Sequence, residues 1–237
     1  MRNRSVHKFL LACFFLTGFA GAAAAQEPEP IRFSFTVFGL HPGDFEGIYF
    51  LNGEGEPESL DFRRRHRSTE YSAEIEIPGS PLRFFRIQGS DESPIYRTVG
   101  EVTPKPDWSE MLFLFLRNPG SAAEDPFRVL AATDDERSFP YGSLRVVNLT
   151  GIPLGGSIDQ QKETIRSNAW TDAFSIRRPG KVDVLFAAAT SESLHLVYRR
   201  TMPLGMDSRT LLILRPPARV GSIRIGATTL MDFEREG

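Results

Sequence analysis

Residues 139–153 read FPYGSLRVVNLTGIP. Proline and glycine stand on both sides of a strand-patterned run at 143–147, Ser-Leu-Arg-Val-Val, which is the length of one strand. A strand pattern followed by Gly and Pro also opens the chain at 31–42, more than 100 residues earlier. We therefore interpret residues 139–153 as the opening of the second of two similar halves.

The two halves share a series of residue types in the same order. The first half contains Tyr96-Arg97, Pro104, Asp107, the apolar run 111–116, Arg117 and Pro119, and the second contains Tyr198-Arg199, Pro203, Asp207, the apolar run 211–214, Arg215 and Pro216. The spacing of about 100 residues matches the size of one β-sandwich domain. Unrelated sandwiches also repeat turn and strand patterns, but this many matches in one order favour duplication.

Short β-patterned runs, separated by Gly, Pro, Asn, Asp and Ser, fill both halves without a sustained 3.6-residue apolar period. The candidate strands are 31–37, 47–51, 70–77, 82–87, 95–102, 111–116, 127–132, 143–147, 171–176, 181–188, 193–200, 210–214, 222–226 and 228–233. This pattern predicts an all-β protein of two tandem antiparallel immunoglobulin-like β-sandwich domains. We expect the domains to cover 31–138 and 143–237, joined by a linker at 139–142.

Four stretches need separate interpretation. Residues 160–168 fit either a short helix or a polar loop. Gly155-Gly156-Ser157 predicts a flexible turn or bulge, because it lacks the GxSxG spacing of a nucleophile turn.

The run 111–116 predicts a central strand covered on both faces, or alternatively a strand that meets a partner. Asn148-Leu-Thr150 matches the N-glycosylation pattern, but it falls at a strand end and we expect no modification.

The first 25 residues have a basic start, an apolar middle and a small-residue end before Gln26. That pattern predicts a cleaved signal peptide and an exported protein, periplasmic or extracellular, with a short extended arm at 26–30. The alternative, a membrane anchor, needs about 20 strongly apolar residues, and no later run approaches that length. Because Cys13 is the only cysteine, the mature chain has no disulfide. Its 25 basic and 30 acidic residues make nucleic acid an unsuitable partner.

Few residues carry recognisable chemistry. His41, His66 and His195 are the histidines left after cleavage, and neither HExxH nor a carboxylate cluster accompanies them. Glu74 and Glu76 share one face of a candidate strand, as a glycosidase pair could, but a solvated outer face explains them better. We therefore predict no catalytic residue, no metal site and no cofactor, and a protein that is not an enzyme.

The densest basic run consists of Arg63, Arg64, Arg65, His66 and Arg67. It is a candidate anion-binding loop for polysaccharide or lipid head groups. The acidic residues that precede it, Glu54, Glu56, Glu58 and Asp61, favour the alternative of a surface hairpin that neutralises its own charge. The two interpretations differ in whether the arginines are available to a ligand.

The second half contains an opening strand at 144–153, the turn Arg178-Pro-Gly180 and a closing apolar strand at 209–214. In these features, which span about the last 95 residues, it resembles a family of uncharacterised exported bacterial β-sandwich proteins. The resemblance implies a fold and an exported location but no activity. The plan of two sandwiches is also similar to that of pilus chaperones, and the second half to accessory β-domains of exopolysaccharide systems, without their functional residues.

Together these observations predict an exported, non-catalytic binding or assembly protein of the cell envelope that acts through β-sandwich surfaces. An envelope protein or a polysaccharide is the expected partner. The alternative is a carbohydrate-binding or enzyme-accessory module. The sequence leaves the oligomeric state open.

Overall fold

The computed structural model describes residues 29–90, 92–117, 126–189 and 193–234. The expected signal peptide and residues 26–28 of the arm lie outside these ranges. Within them the chain forms seventeen strands and one 3-10 helix, Pro42–Phe45, so the all-β prediction is confirmed. No helix in the described ranges is long and apolar enough to cross a membrane.

Eight strands of the first half form two sheets. They are β1 (Ile31–Gly39), β2 (Tyr49–Leu51), β3 (Pro57–Ser59), β4 (Tyr71–Ile75), β5 (Leu82–Ser90), β6 (Ser93–Val102), β7 (Glu110–Leu116) and β8 (Arg128–Thr133). Sheet A has the order β4-β1-β7-β8, and sheet B has the order β3-β2-β5-β6.

Nine strands of the second half form two further sheets. They are β9 (Ser143–Asn148), β10 (Leu154–Ile158), β11 (Gln161–Ile165), β12 (Ala169–Trp170), β13 (Phe174–Ser175), β14 (Gly180–Ala189), β15 (Leu194–Leu204), β16 (Ser208–Arg215) and β17 (Gly226–Phe233). Sheet C has the order β12-β9-β16-β17, with β13 also on β9, and sheet D has the order β11-β10-β14-β15. The strand order of sheets A and B therefore recurs in sheets C and D.

Most neighbouring strands are antiparallel, but β1 pairs with β7, and β9 with β16, in parallel. The prediction of wholly antiparallel pairing is wrong for these two pairs. Parallel partners need a long connection, and five strands separate β1 from β7 along the chain. No local turn signal marks such a pairing in the sequence.

Three apolar layers hold the sheets together. One lies between sheets A and B, one between sheets C and D, and one between sheets A and C. Side chains alternate along β7, so Met111, Phe113 and Phe115 enter the first layer while Leu112, Leu114 and Leu116 enter the third. The central-strand interpretation of 111–116 is therefore confirmed.

The stretch 154–165 differs from its sequence interpretation. Gly155, Gly156 and Ser157 lie in β10, and residues 161–165 form β11 instead of a helix or loop. Asp159 and Gln160, both with positive φ, make the two-residue turn between these strands. This turn lacks the usual Asn-Gly pair, and the glycines remove the apolar alternation that would reveal β10. The prediction of a separate strand at 222–226 is also wrong, because residues 222–225 form no strand and β17 begins at Gly226.

Candidate functional site

An open groove of about 590 Å³ lies beside sheet B in the first half, where residues of β2, β5 and β6 meet the end of β4 from sheet A. One wall is the turn between β2 and β3, and the other is the connection from β4 to β5. Leu51, Asn52, Glu76, Arg83, Phe85 and Tyr96 are among the residues that line it. Apolar and hydrogen-bonding side chains therefore share one surface, as in many ligand sites.

Two aromatic residues, Phe85 and Tyr96, line the groove, and a third, Tyr49, packs against Phe85. Tyr49 and Phe85 stack with ring centroids 6.4 Å apart and an angle of 20° between the ring planes. Tyr96 meets Phe85 edge to face at 4.8 Å, and both distances fall within the range of favourable aromatic pairs. Phe85 is buried beneath its neighbours, whereas Tyr96 is 50% exposed. Tyr96 thus presents ring surface to solvent on a fixed support.

Polar groups surround the rings. The side-chain oxygen of Asn52 accepts hydrogen bonds from the backbone N–H groups of Glu54 and Glu56, each at 3.0 Å, which fixes the β2–β3 turn. Glu74 pairs with Arg32 at 2.9 Å, and the hydrogen bond from Arg32 holds the pKa of the Glu74 carboxyl below its usual value. Glu76 is exposed and makes no hydrogen bond or ion pair with the described residues. Among the residues that line the groove, Glu76 is therefore a carboxylate that no cation compensates.

The groove exists because β2 and β5 separate. Their ladder consists of one residue pair, Tyr49 with Phe85, whereas β10 and β14 pair at four positions in the second half. Gly156 permits that closer approach, since a Cβ atom there would lie 1.9 Å from the carbonyl oxygen of Leu185. The corresponding gap in the second half is closed by strand pairing.

A β-bulge in each half defines equivalent positions. The ladder of β5 and β6 shifts between Phe84 and Phe85, and that of β14 and β15 shifts between Phe186 and Ala187. Counting from these bulges, we match the first-half residues Tyr49, Phe50, Phe85 and Tyr96 with Gly155, Gly156, Ala187 and Leu194 in the second half. The aromatic groups of the groove therefore have no aromatic counterpart. Tyr96 also does not match Tyr198, as the sequence comparison suggested, because Tyr198 pairs with Phe186 on the other side of the bulge.

The basic run 63–67 is divided between two environments. Arg67 is buried and forms an ion pair with Asp134, so it is not free for a surface ligand. Arg63 pairs with Asp61 at 2.7 Å, as expected for a loop that neutralises its own charge. Arg64, Arg65 and His66 are exposed in the turn. Arg63, His66 and Arg67 therefore line one cavity. The side chain of Arg67 is buried in its ion pair, whereas those of Arg63 and His66 are exposed.

That cavity, of about 510 Å³, opens between sheets A and C, beyond the apolar layer. Its inner wall is a network of two arginines and two aspartates. Arg209 lies 3.4 Å from Asp134 and 2.8 Å from Asp232, and Arg67 contacts the same two carboxylates. Asp134 is thus shared by cations from both halves. The network joins the 63–67 turn, the end of sheet A and sheet C.

The expected linker, 139–142, is built into the same region. Phe139 is 1% exposed, and the guanidinium groups of Arg145 and Arg209 both lie over its ring, 4.8 Å and 5.5 Å from the ring centroid. Arg145 also donates hydrogen bonds to the carbonyl oxygens of Thr133 and Ser138. Burial lowers the pKa of Arg145. For Arg209 burial also acts to lower the pKa, but Asp134 and Asp232 outweigh it and raise the value.

Two of the histidines and the N-glycosylation pattern noted in the sequence lie apart from the groove. His41 is exposed before the 3-10 helix, and the ring of His195 lies 2.8 Å from the hydroxyl of Ser193. Asn148 is fully buried, and its side-chain amide donates hydrogen bonds to the carbonyl oxygens of Ile152 and Ile165. The folded chain therefore hides this glycosylation pattern. Among the described residues, no group of three His, Cys, Asp or Glu side chains is placed to hold a metal ion.

Sequence reasoning missed the groove. The available signal was that Tyr49 alternates with the buried Ile48 and Phe50, which places its ring on the outer face. In the sequence, Tyr96 was interpreted only as one of the residues that recur in the two halves. Glu74 and Glu76 were expected on a solvated outer surface, and they line this groove.

No protein-family model matches the chain, and no curated protein matches it significantly.

Proposed function

We propose that the chain is an exported, non-catalytic binding protein of the cell envelope, and that the groove on sheet B is its binding surface. One observation supports this choice: two halves with the same strand order differ in having the groove open in one and closed in the other. A fold that repeats its scaffold but not its surface suggests that the surface serves a purpose beyond stability. Two tandem immunoglobulin-like sandwiches would supply the scaffold.

Assembly through a donated strand receives less support. The apolar strand 111–116, the candidate for such a contact, is buried on both faces, and so is its counterpart 211–214. Each strand is also paired on both edges within its sheet. A partner would have to displace existing strands to reach them.

Export and the non-catalytic role have their support in the sequence. The leader pattern at 1–25 favours export. The resemblance of the second half to uncharacterised exported bacterial β-sandwich proteins agrees with it. The described residues around the groove include carboxylates, a guanidinium and aromatic rings but no histidine, cysteine or paired nucleophile and base.

The test uses immobilised residues 26–237 and an envelope extract of the source cells, with bound protein and bound carbohydrate both analysed. The groove variant is Tyr96→Leu, which installs the residue found at the equivalent position of the second half. The matched control is Leu194→Ala, on that second half. We expect Tyr96→Leu to lose the material that the wild type and Leu194→Ala retain. Equal retention by all three proteins would exclude the groove as the binding surface.

A further inference from the structure

We propose that the groove binds a carbohydrate chain whose sugars are neutral or carry amino groups, and that it disfavours chains rich in uronate or sulfate. This inference rests on the proposed function, since it names the ligand class of the same groove. It is carried by the ring geometry, the hydrogen-bonding groups beside the rings and the charge of the rim.

The rings suit a sugar better than a wholly apolar ligand. A pyranose has one face of C–H groups and an edge of hydroxyls, and tyrosine offers a flat apolar ring with a polar tip. Tyr96 is 50% exposed, while the edge of Phe85 at 4.8 Å fixes the position of its ring. Because the ring is held before binding, little side-chain freedom is lost when a sugar stacks on it. Both tryptophans, by contrast, are committed to the apolar layers, with Trp108 against Phe33.

Hydrogen-bonding groups lie within the same groove. Asn52 uses its amide oxygen to hold the β2–β3 turn. Its amide N–H groups make no hydrogen bond with the described residues and can donate to a hydroxyl. Thr98, on β6 and paired with Phe85, adds a hydroxyl next to the rings. Such donors and acceptors at the edge of an aromatic surface match the alternation of C–H faces and hydroxyls along a sugar chain.

The charge of the rim selects among sugars. Glu74 is compensated by Arg32, and Arg83 lies 3.8 Å from Glu101, which leaves Glu76 without a cationic partner among the described residues. A carboxylate or sulfate on the ligand would meet this negative charge, whereas an amino group would be attracted to it. At an exposed site each such contact changes affinity by about fivefold, and salt screens it. The groove thus differs from the basic turn at 63–67, which would suit an anionic chain.

Chain binding also agrees with the shape of the groove. It runs between the β2–β3 turn and the β4–β5 connection and is open to solvent, with a volume of about 590 Å³. That volume lies in the range of small-ligand sites. An open groove lets a long polymer enter from the side, which a closed pocket would prevent.

The experiment is a glycan array with neutral, amino-bearing and uronate- or sulfate-bearing chains, probed with residues 26–237. Affinity electrophoresis in glycol chitosan and in alginate gels then gives relative affinities. The wild type should bind neutral or amino-bearing chains, and Tyr96→Leu should weaken that binding about tenfold, because ring stacking is lost. Glu76→Gln should reduce the preference for amino-bearing over acidic chains about fivefold at low salt. Leu194→Ala and a change of residues 63–65 to serine should leave the neutral and amino-bearing signals unchanged.

Binding confined to acidic chains, or glycan binding that Tyr96→Leu does not weaken, would overturn the inference. If the array shows no binding while Tyr96→Leu still abolishes retention of envelope material, the ligand class is wrong and the groove remains the binding surface. If the array shows no binding and Tyr96→Leu also retains everything, both the ligand class and the proposed function fail. Circular dichroism of each variant establishes that loss of binding is not loss of fold.

Discussion

Gly156→Ala is expected to destabilise the protein, whereas Gly155→Ala, one residue earlier in the same strand, is not. A Cβ atom at Gly156 would lie 1.9 Å from the carbonyl oxygen of Leu185 and 2.8 Å from the ring of Phe186. A Cβ atom at Gly155 meets nothing within 4 Å. The two substitutions add the same methyl group to the same strand, so their difference measures the close approach alone.

The magnitude follows from the displacement that the methyl group requires. Carbon and oxygen need a separation of about 3.5 Å, so β10 must move away from β14 by about 1.5 Å. A hydrogen bond lengthened by that amount from its usual value of about 2.9 Å is lost. The ladder has four residue pairs, from Gly155 with Ala187 to Ile158 with Val184. Loss of two or three of its bonds, at about 1 kcal/mol each, gives a cost of about 3 kcal/mol for Gly156→Ala.

The assay is urea denaturation followed by fluorescence and circular dichroism, with a calorimetric melting temperature for each variant. A loss of about 3 kcal/mol in a chain of this size lowers the melting temperature by about 6 to 12 °C. Gly155→Ala should be neutral or slightly stabilising, because alanine restricts the unfolded chain more than glycine does. If the two variants differ by less than about 0.5 kcal/mol, the explanation of the closed β10–β14 gap is wrong.

Four further outcomes are expected. Arg209→Met should lower the free energy of unfolding by about 3 kcal/mol in urea denaturation, because it strips the buried Asp134 of one of its two cations; a loss below 1 kcal/mol would show that Arg67 alone suffices. Leu114→Ala should cost about 3 kcal/mol by the same assay, since the side chain is 1% exposed in the layer between sheets A and C; a neutral result would mean that this layer contributes little. Burial raises the pKa of Tyr198 above 10, so the unfolded chain ionises first and stability falls as pH rises through the higher folded value. Tyr198→Phe should remove that part of the decline, measured as urea midpoints between pH 8 and pH 11, and identical declines would contradict it. Changing residues 63–65 to serine should leave stability within about 0.5 kcal/mol, because these side chains are exposed; unfolding would refute their surface role.

The sequence predicted those features that depend on local patterns. The alternation at 31–37 and the apolar run at 111–116 correspond to β1 and β7, and both lie where burial on one or two faces was expected. The β10–β11 hairpin was missed because its glycines carry no apolar signal and its turn lacks Asn-Gly. A strand was therefore predicted correctly where residues adjacent in sequence show an apolar pattern, and missed where they do not.

The candidate site depends on distances between strands that are remote in sequence. The groove requires β2 to separate from β5, whereas Gly156 permits the close approach of β10 and β14 in the second half. The run 63–67 looked uniform, but Arg67 meets Asp134, 67 residues away, while its neighbours stay in solvent. Tyr96 was likewise matched with Tyr198 from residue type alone, whereas the strand pairing aligns it with Leu194. These features arise from tertiary contacts that no local pattern encodes.

The apolar layer between sheets A and C is arranged like a symmetric dimer interface. The parallel pairings align Ser34 with Glu110 and Ser143 with Arg209, which makes Leu112 and Leu114 equivalent to Leu211 and Ile213. These four side chains all lie in that layer. Matching faces of the two halves therefore meet there, as in an isologous homodimer. Carried on one polypeptide, the two faces have a high effective concentration and stay associated at any dilution. A homodimer must keep every surface in both copies, but a fused pair is free to keep a groove on one copy and close it on the other.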